Sequence, residues 1–255
     1  MPQWDSAQYL KFERQRTRPA VELTEHVPLA APAAVLDVGC GPGNSTAVLA
    51  KRFPDARITG IDNSPDMIEA AKKACPNLHF KLSDANDGLS GLGKFDLVFS
   101  NACIQWIPDH ETLIPNLLES VNSGGYLAIQ VPMNQDTPIQ QLIRQTAMSP
   151  KWRNRFPAPR IFFTLTPPEY YDILVKNSRT CDLWTTTYYH ILPGAKAILE
   201  WYRGTGLRPY LEALPAAERP EFERDILEKI RENYPVRRDG TVIFPFPRFF
   251  MLAQK

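Results

Sequence analysis

Residues 36–43 read LDVGCGPG, a short apolar run that passes directly into a loop with three glycines at alternate positions. Glycine tolerates positive φ and lets a ligand approach the backbone closely. In a doubly wound α/β sheet, ligands bind at the carboxyl ends of the strands, where this loop falls. A glycine-rich turn without a ligand is the alternative that the loop alone leaves open.

The spacing of Gly39, Gly41 and Gly43 distinguishes between a dinucleotide and a ligand without phosphate. Dinucleotide-binding loops read G-x-G-x-x-G, which places a pyrophosphate at the start of the following helix. Here the third glycine comes one residue early. The spacing therefore favours a shorter ligand without phosphate, such as S-adenosylmethionine, and disfavours a nicotinamide-dependent oxidoreductase.

Short apolar runs alternate with helical segments between residues 33 and 131. This pattern indicates parallel strands buried on both faces, and right-handed crossovers make a doubly wound α/β sheet the economical topology. Residues 44–46 (NST) are a predicted capping cluster, 64–66 (SPD) suit a helix start, and 123–125 (SGG) suit a helix end. Strands are predicted at 34–38, 57–62, 78–82, 95–100 and 126–131, and helices at 47–53, 67–75 and 112–121.

The C-terminal half is less regular. Helices are expected at 139–148 and from Pro167, a strand at 185–191, and wholly helical structure over 194–234. A final strand at 241–252 contains Pro245 and Pro247, which indicate an edge or bulged position early in that strand. We therefore expect one domain over 1–255, in which 1–30 form a helical cover, 31–132 the cofactor-binding core and 192–240 a helical substrate-lid insertion.

Two acids follow the second and third strands. Asp62 lies about twenty residues past the loop, the offset expected of an acid that binds ribose hydroxyls. Asp84 is placed to meet an adenine amino group. Taken alone, Asp62 could be an acid at a helix entry and Asp84 a turn-forming residue.

These residues together resemble the class I S-adenosylmethionine-dependent methyltransferases. The resemblance rests on DVGCGPGNS, GIDNSPDM, SDA and FDLVFSN, which occur in order between residues 33 and 131. It implies a Rossmann-like sheet of seven strands, mostly parallel, with an antiparallel last strand. It also implies a set of cofactor-binding residues: Asp37, Gly39, Cys40, Gly41, Asp62, Asn63, Met67, Asp84, Ala85, Asn101, Ala102 and Trp106.

Composition restricts the possible partners. The chain has 29 basic and 28 acidic residues, so its formal charge of +1 gives no general attraction to nucleic acid or to an anionic membrane. The four cysteines are widely spaced and form no CxxC pair, so we expect reduced, mostly buried thiols, no metal and a cytoplasmic location. The sequence leaves the oligomeric state open.

Two segments rich in aromatic and basic residues are candidates for binding the methyl acceptor. One runs from Trp4 to Pro19 and contains Tyr9 and Arg16; the other, residues 200–210 (EWYRGTGLRPY), contains Arg203 and Arg208. Arginine can hold a carboxylate through two hydrogen bonds. The alternatives are an amphipathic helix with solvated arginines for the first segment, and surface arginines for the second.

A narrower resemblance, to the trans-aconitate 2-methyltransferases, rests on WDxxxYLKFxxxRxRP, IQWIPDH and WYRGTGLRPY. It spans nearly the full chain and implies a small-molecule carboxylate as substrate, esterified on one carboxyl group. A carboxylate is already ionised at pH 7, so no catalytic base is required. We expect His110 to be solvated. The substrate-binding candidates are Arg203, Arg208, Tyr9, Arg16, Gln105 and Trp201, followed by Arg160 and Arg248.

Two further functions remain open at this point. One is a methyltransferase for another free carboxyl group, such as a malonyl thioester on a carrier protein, which would favour a basic docking patch. The other is a regulator that binds S-adenosylmethionine without catalysis. The intact glycine loop, Asp62 and the predicted lid weigh against the regulator.

Overall fold

A seven-stranded sheet organises the protein, whose computed structural model describes residues 13–156 and 162–255 apart from the side chains of Glu13, Arg14 and Arg16. The order of its strands is β3-β2-β1-β4-β5-β7-β6. This arrangement confirms the predicted Rossmann-like sheet. Its strands are β1 (Ala34–Val38), β2 (Arg57–Asp62), β3 (His79–Leu82), β4 (Phe95–Asn101), β5 (Val121–Pro132), β6 (Thr180–Leu192) and β7 (Val242–Gln254).

Helices connect these strands. None of those in the described residues combines the length and apolar character that crossing a membrane requires. They are α1 (Glu13–His26), α2 (Asn44–Arg52), α3 (Pro65–Ala74), α4 (His110–Glu119), α5 (Pro138–Ala147), α6 (Pro167–Asn177), α7 (Ala195–Arg203), α8 (Arg208–Ala213) and α9 (Arg219–Asn233).

Strand directions follow the prediction. β1 pairs in parallel with β2 and β4, and β4 pairs in parallel with β5. β7 runs antiparallel to β5, from Pro132 opposite Arg248 to Tyr126 opposite Gln254. Pro245 and Pro247 both precede this register, in keeping with an edge position for the early part of the strand.

The two faces of the sheet are covered differently. On one face Ile129 and Val131 of β5 lie in an apolar cluster with Leu117 of α4 and Leu174 of α6. The opposite face is covered by α1, which packs against α2 and β5. There Trp184 of β6 stacks on Phe250 of β7 with 4.9 Å between ring centroids.

Several predicted boundaries were wrong, and three of them matter here. The helix expected to reach Val121 ends at Glu119, and residues 123–125 lie inside β5, with Gly124 at φ 78°. Segment 194–234 is divided into α7, α8 and α9. Pro209 and Pro220 stand at the starts of α8 and α9, where the missing N–H is tolerated, and they cannot continue a preceding helix.

Contacts divide the chain into two compact units. Among the described residues, the larger consists of 13–133, Phe163–Thr186 and Arg248–Lys255, and the smaller of 134–156, Phe162 and Thr187–Pro247. The smaller unit thus includes α5 as well as the segment expected to form a lid. The assignment of that segment as a lid stays a prediction.

One carboxylate ties strands together at the amino end of the sheet. Asp96 Oδ2 accepts hydrogen bonds from the backbone amides of Ala33 at 2.8 Å and Ala34 at 3.1 Å. Its Oδ1 accepts from Asn122 Nδ2 at 2.7 Å. The bond from Asn122 and the two backbone amides lower the pKa of Asp96.

We expect Asp96→Asn to lower the free energy of unfolding at pH 7 by about 1–3 kcal/mol, because an amide cannot accept all three hydrogen bonds. A lowered folded-state pKa means that the stabilisation is present above the ordinary pKa and is lost as pH falls through the lowered value. Urea unfolding at several pH values checks this. Exposed Asp55→Asn is the control, and a penalty that does not shrink toward acid pH would contradict the assignment.

Candidate functional site

The glycine loop after β1 is built from left-handed backbone. Gly39, Gly41 and Gly43 have φ of 72°, 54° and 95°. Gly39 requires glycine for a second reason, since a Cβ there would lie 2.2 Å from Cys103 Sγ. A Cβ at Gly41 would meet no atom within 4 Å. The loop therefore packs against the protein at its first glycine and faces open space at its second.

The backbone amides of this loop are bonded within the protein. Those of Gly39 and Cys40 donate to the Ile61 carbonyl at 2.8 and 2.9 Å. That of Gly41 donates to Asp62 Oδ2 at 3.0 Å, and that of Gly43 to the Cys40 carbonyl at 3.1 Å. Phosphate-binding loops instead point such amides at the anion. The geometry fits a ligand without phosphate, as the glycine spacing predicts.

A polar cluster at the ends of β2 and β3 consists of Asp62, Asn63 and Asp84. Asp62 Oδ1 accepts from the Ser64 amide at 2.9 Å, and Asn63 Nδ2 donates to Asp84 Oδ2 at 3.0 Å. Burial raises the pKa of Asp62, against the effect of the amides that it binds. Asp84 Oδ1 accepts from the Asn86 amide, so Asp84 also forms the turn that the sequence left open.

Asp37 of β1 binds the start of the helix that follows the glycine loop. It is fully buried, and its Oδ2 accepts from the hydroxyls of Ser45 and Thr46, each at 2.7 Å. The prediction that residues 44–46 cap α2 was wrong. Gly43 is the N-cap, and the two hydroxyls bond to the carboxylate on β1, which is a stronger acceptor because it is charged.

The turn after β4 carries several of the predicted residues. Ala102 has φ 55°, and its amide donates to the Gln130 carbonyl at 2.9 Å. Gln105 is 3% exposed, and its Nε2 donates to the Ala102 carbonyl at 2.7 Å. Trp106 is half-buried in the short 3₁₀ helix Ile104–Trp106. Left-handed backbone at an alanine is uncommon, and here hydrogen bonds at both the amide and the carbonyl of Ala102 hold it in place.

The prediction that His110 is solvated was wrong, because it is buried with both ring nitrogens bonded. The Ile104 carbonyl can only accept, so Nε2–H donates to it at 2.8 Å. Nδ1 then accepts from the Tyr170 hydroxyl at 2.9 Å. Burial lowers the pKa of His110, which keeps the ring neutral. These bonds fix the turn at Ile104 to α4 and α6.

The other cofactor candidates lie near these residues in sequence and fold. Met67 is buried in the first turn of α3, where the Ser64 side chain caps the helix as predicted. Cys40 and Ala85 are buried, and Asn101 is the last residue of β4. The four cysteines are free, although only Cys40 is buried and the other three are partly exposed.

The substrate candidates fall in different parts of the chain. Trp201, Arg203 and Arg208 belong to the smaller unit, whereas Gln105 and the 6%-exposed Arg248 belong to the larger. Tyr9, Arg160 and the side chain of Arg16 lie outside the described residues. The structure thus brings the cofactor candidates together within one unit and distributes the arginines over the chain.

Both candidate arginines of the smaller unit have carboxylate partners. Arg203 binds Glu223 through Nε at 2.5 Å and Nη2 at 2.7 Å, and it also pairs with Glu200. Arg208 pairs with Glu212 at 2.6 Å. Trp201 is buried, with its ring 4.7 Å from that of His190. A substrate carboxylate would therefore compete with Glu223 and Glu200 for Arg203.

We expect Asp37→Asn to change the pH dependence of stability. Burial raises the pKa of Asp37 from 3.8 to about 6, so its contribution to stability is greatest below pH 3.8 and is lost as pH rises to about 6. At about 1.4 kcal/mol per pH unit, this amounts to about 3 kcal/mol. Measured in urea, the wild type should lose about 2 kcal/mol of unfolding free energy relative to the variant between pH 4.5 and 7, the part of this interval that the measurement covers. Parallel pH profiles would contradict it.

Comparisons with solved structures show the same fold. The YcgJ protein from Bacillus subtilis has a TM-score of 0.62 at 14% identity, covering 93% of this chain and 99% of its own. Phosphoethanolamine N-methyltransferase 2 of Haemonchus contortus, in complex with S-adenosyl-L-methionine, has a TM-score of 0.55 at 17% identity. That match covers 93% of this chain and 52% of the other.

Sequence comparisons are more specific. A family model described as a methyltransferase domain matches residues 35–125. The trans-aconitate 2-methyltransferase of Azoarcus sp. (strain BH72) is 46% identical over 99% of both chains. That of Escherichia coli (strain K12 / DH10B) is 41% identical over 100% of this chain and 99% of its own. The chain therefore belongs to the trans-aconitate 2-methyltransferase family.

Proposed function

We propose that this protein transfers the methyl group of S-adenosylmethionine to one carboxylate of trans-aconitate and forms a monomethyl ester. The observation that carries the proposal is the full-length identity of 41–46% to enzymes named for this activity. We further propose a cytoplasmic location, in keeping with the four free cysteines.

The residues present suit the cofactor. The open space at Gly41 admits the methionine part, and Asp62 keeps lone pairs that can accept from the ribose hydroxyls. Asp84 and Ala85 are assigned to the adenine, with Asn63 and Met67 beside them. Asp37, Gly39 and Cys40 shape the loop from below. Asn101, Ala102 and Trp106 are assigned to the side where methyl transfer takes place.

The reaction requires alignment more than proton transfer. The cofactor supplies a methyl group on a sulfonium, which is already activated for displacement. The acceptor carboxylate is ionised at neutral pH, so no side chain has to remove a proton. The task of the protein is to hold the two reactants in line and to exclude water, and proximity alone can supply about 7–11 kcal/mol. The neutral, fully bonded His110 suits a positioning role.

A tricarboxylate requires positive partners for the groups that do not react. We propose Arg203 and Arg208 first, and the further candidates are Tyr9, Arg16, Gln105, Trp201, Arg160 and Arg248. Because Arg203 is paired with Glu223 and Glu200, it would serve only by exchanging one of these partners for the substrate. Arg208 is paired with Glu212 and would likewise have to exchange a partner for the substrate.

The first experiment follows methyl transfer from labelled S-adenosylmethionine to trans-aconitate, with cis-aconitate, isocitrate and citrate in parallel. We expect a base-labile ester and a kcat/KM that is highest for trans-aconitate. Transfer to a malonyl thioester in place of trans-aconitate would show that the protein methylates a carboxylate but that the proposed acceptor is wrong. Tight cofactor binding without transfer to any acid would indicate a regulator and overturn the proposal.

The glycine loop offers a second test. We expect Gly41→Ala to lower stability by only about 1–2 kcal/mol, the cost of left-handed backbone at alanine, while weakening S-adenosylhomocysteine binding at least tenfold. Its methyl group would enter the space assigned to the ligand. Thermal unfolding and calorimetric titration measure the two effects.

Two further variants complete this comparison. Gly124→Ala is the matched control, because Gly124 has φ 78° and open space but lies in the amino-terminal part of β5. It should cost similar stability and leave binding unchanged. Gly39→Ala should lose both stability and binding, because its Cβ collides with Cys103. Unchanged affinity in Gly41→Ala would contradict the placement of the cofactor.

A further inference from the structure

Gln130 is a fully buried amide in an apolar strand. Its exposure is 0%, and neither Nε2 nor Oε1 has a hydrogen-bond partner among the described residues. Both atoms are also closed to solvent, so bulk water does not satisfy them. A buried amide without partners is destabilising, so this residue requires an explanation outside the packing of the strand.

Its position is at the ligand-binding end of the sheet. Gln130 on β5 is the register partner of Asn101, the last residue of β4, whose Oδ1 is likewise buried without a partner among the described residues. The same is true of Gln105 Oε1. Ala102, which follows Asn101 in sequence, donates its amide to the Gln130 carbonyl and accepts from Gln105 Nε2 at its own carbonyl. Three side-chain amides with unused hydrogen-bonding capacity thus lie near the carboxyl ends of two adjacent strands, two on the strands and Gln105 in the turn after β4.

The order of the strands indicates which reactant they meet. The ribose and adenine are assigned to Asp62 and Asp84, which follow β2 and β3, on one side of the loop after β1. β4 and β5 lie on the other side of β1. A ligand that extends from β3 across the loop therefore directs its methyl group toward β4. The acceptor then lies over β4 and β5.

The charge changes of the reaction favour a neutral donor at the attacking group. A carboxylate oxygen attacks the methyl carbon while the bond from carbon to sulfur breaks, and its electron pair stays on sulfur. The carboxylate and the sulfonium both lose their charges, and no proton moves. An arginine on the attacking carboxylate would stabilise the charged reactants more than the transition state, which slows transfer. A neutral amide orients the carboxylate with a smaller penalty.

We propose that Gln130 is a specificity-determining residue that donates a hydrogen bond from Nε2 to the carboxylate of the acceptor that becomes methylated. The inference rests on the proposed function. Because the side-chain amide of Gln130 is closed to solvent, the acceptor can reach Nε2 only after the side chains that cover it move.

Gln130→Met tests the assignment, because methionine matches the shape of glutamine and removes both polar atoms. We expect the midpoint of thermal unfolding to rise by about 2–4 °C, since a buried amide without partners is removed. We also expect KM for trans-aconitate to rise about 10- to 100-fold, with little change in kcat or in affinity for S-adenosylhomocysteine. Gln130→Asn, which keeps a shorter amide, should restore part of the loss.

Gln254→Met is the matched control. Gln254 lies near the end of β7, where its Nε2 donates to the Gly124 carbonyl at 3.3 Å. Its replacement should leave KM unchanged and should not raise the unfolding midpoint.

The outcomes separate the two proposals. A lower unfolding midpoint for Gln130→Met would show that the amide has a structural partner, and an unchanged KM would show that it does not bind the acceptor. A loss of cofactor affinity in place of acceptor affinity would assign Gln130 to the cofactor. Each of these results overturns the inference. Absence of transfer to trans-aconitate by the wild type would overturn the proposed function, and the unfolding measurement would still decide the state of the amide.

Discussion

The bond from the Gly41 amide to Asp62, with those from Gly39 and Cys40 to the Ile61 carbonyl, joins the loop after β1 to the end of β2. This connection holds three left-handed glycines in place, and it uses amides that could otherwise bind an anion. The loop can therefore accept a ligand only through its shape, the carboxylates of Asp62 and Asp84, and the open space at Gly41. The proposed positions of the cofactor and of the acceptor both follow from this connection.

Several parts of the fold could be predicted because their signals are local. The apolar strands, the glycine spacing and the start of α3 at Ser64 and Pro65 each depend on neighbours within a few residues. Residues 44–46 look equally suited to capping, yet two of their hydroxyls bind Asp37 on a neighbouring strand. The difference arises because a buried carboxylate competes with the helix amides, and its proximity depends on tertiary structure.

The parts of the site that the sequence did not reveal involve distant partners. His110 looks like a loop residue until Tyr170, sixty positions away, supplies a hydrogen bond in the core. Gln130 interrupts the run LAIQVP, and that interruption is a signal that sequence could have supplied. Arg203 shows the reverse case, because an arginine suited to a carboxylate ligand has carboxylate partners within its own unit. Residue type indicates what a side chain can bind, while packing decides what it does bind.

The buried polar groups of the larger unit fall into two kinds. His110 has both ring nitrogens bonded and Asp37 has Oδ2 bonded to two hydroxyls, although Asp37 Oδ1 has no partner among the described residues. Gln130 and Asn101 keep hydrogen-bonding capacity that no described residue uses. A chain under selection for stability alone would replace such amides with apolar residues. Their location beside the turn that follows β4, and not at the amino end held by Asp96, argues that their cost is retained for recognition of the acceptor.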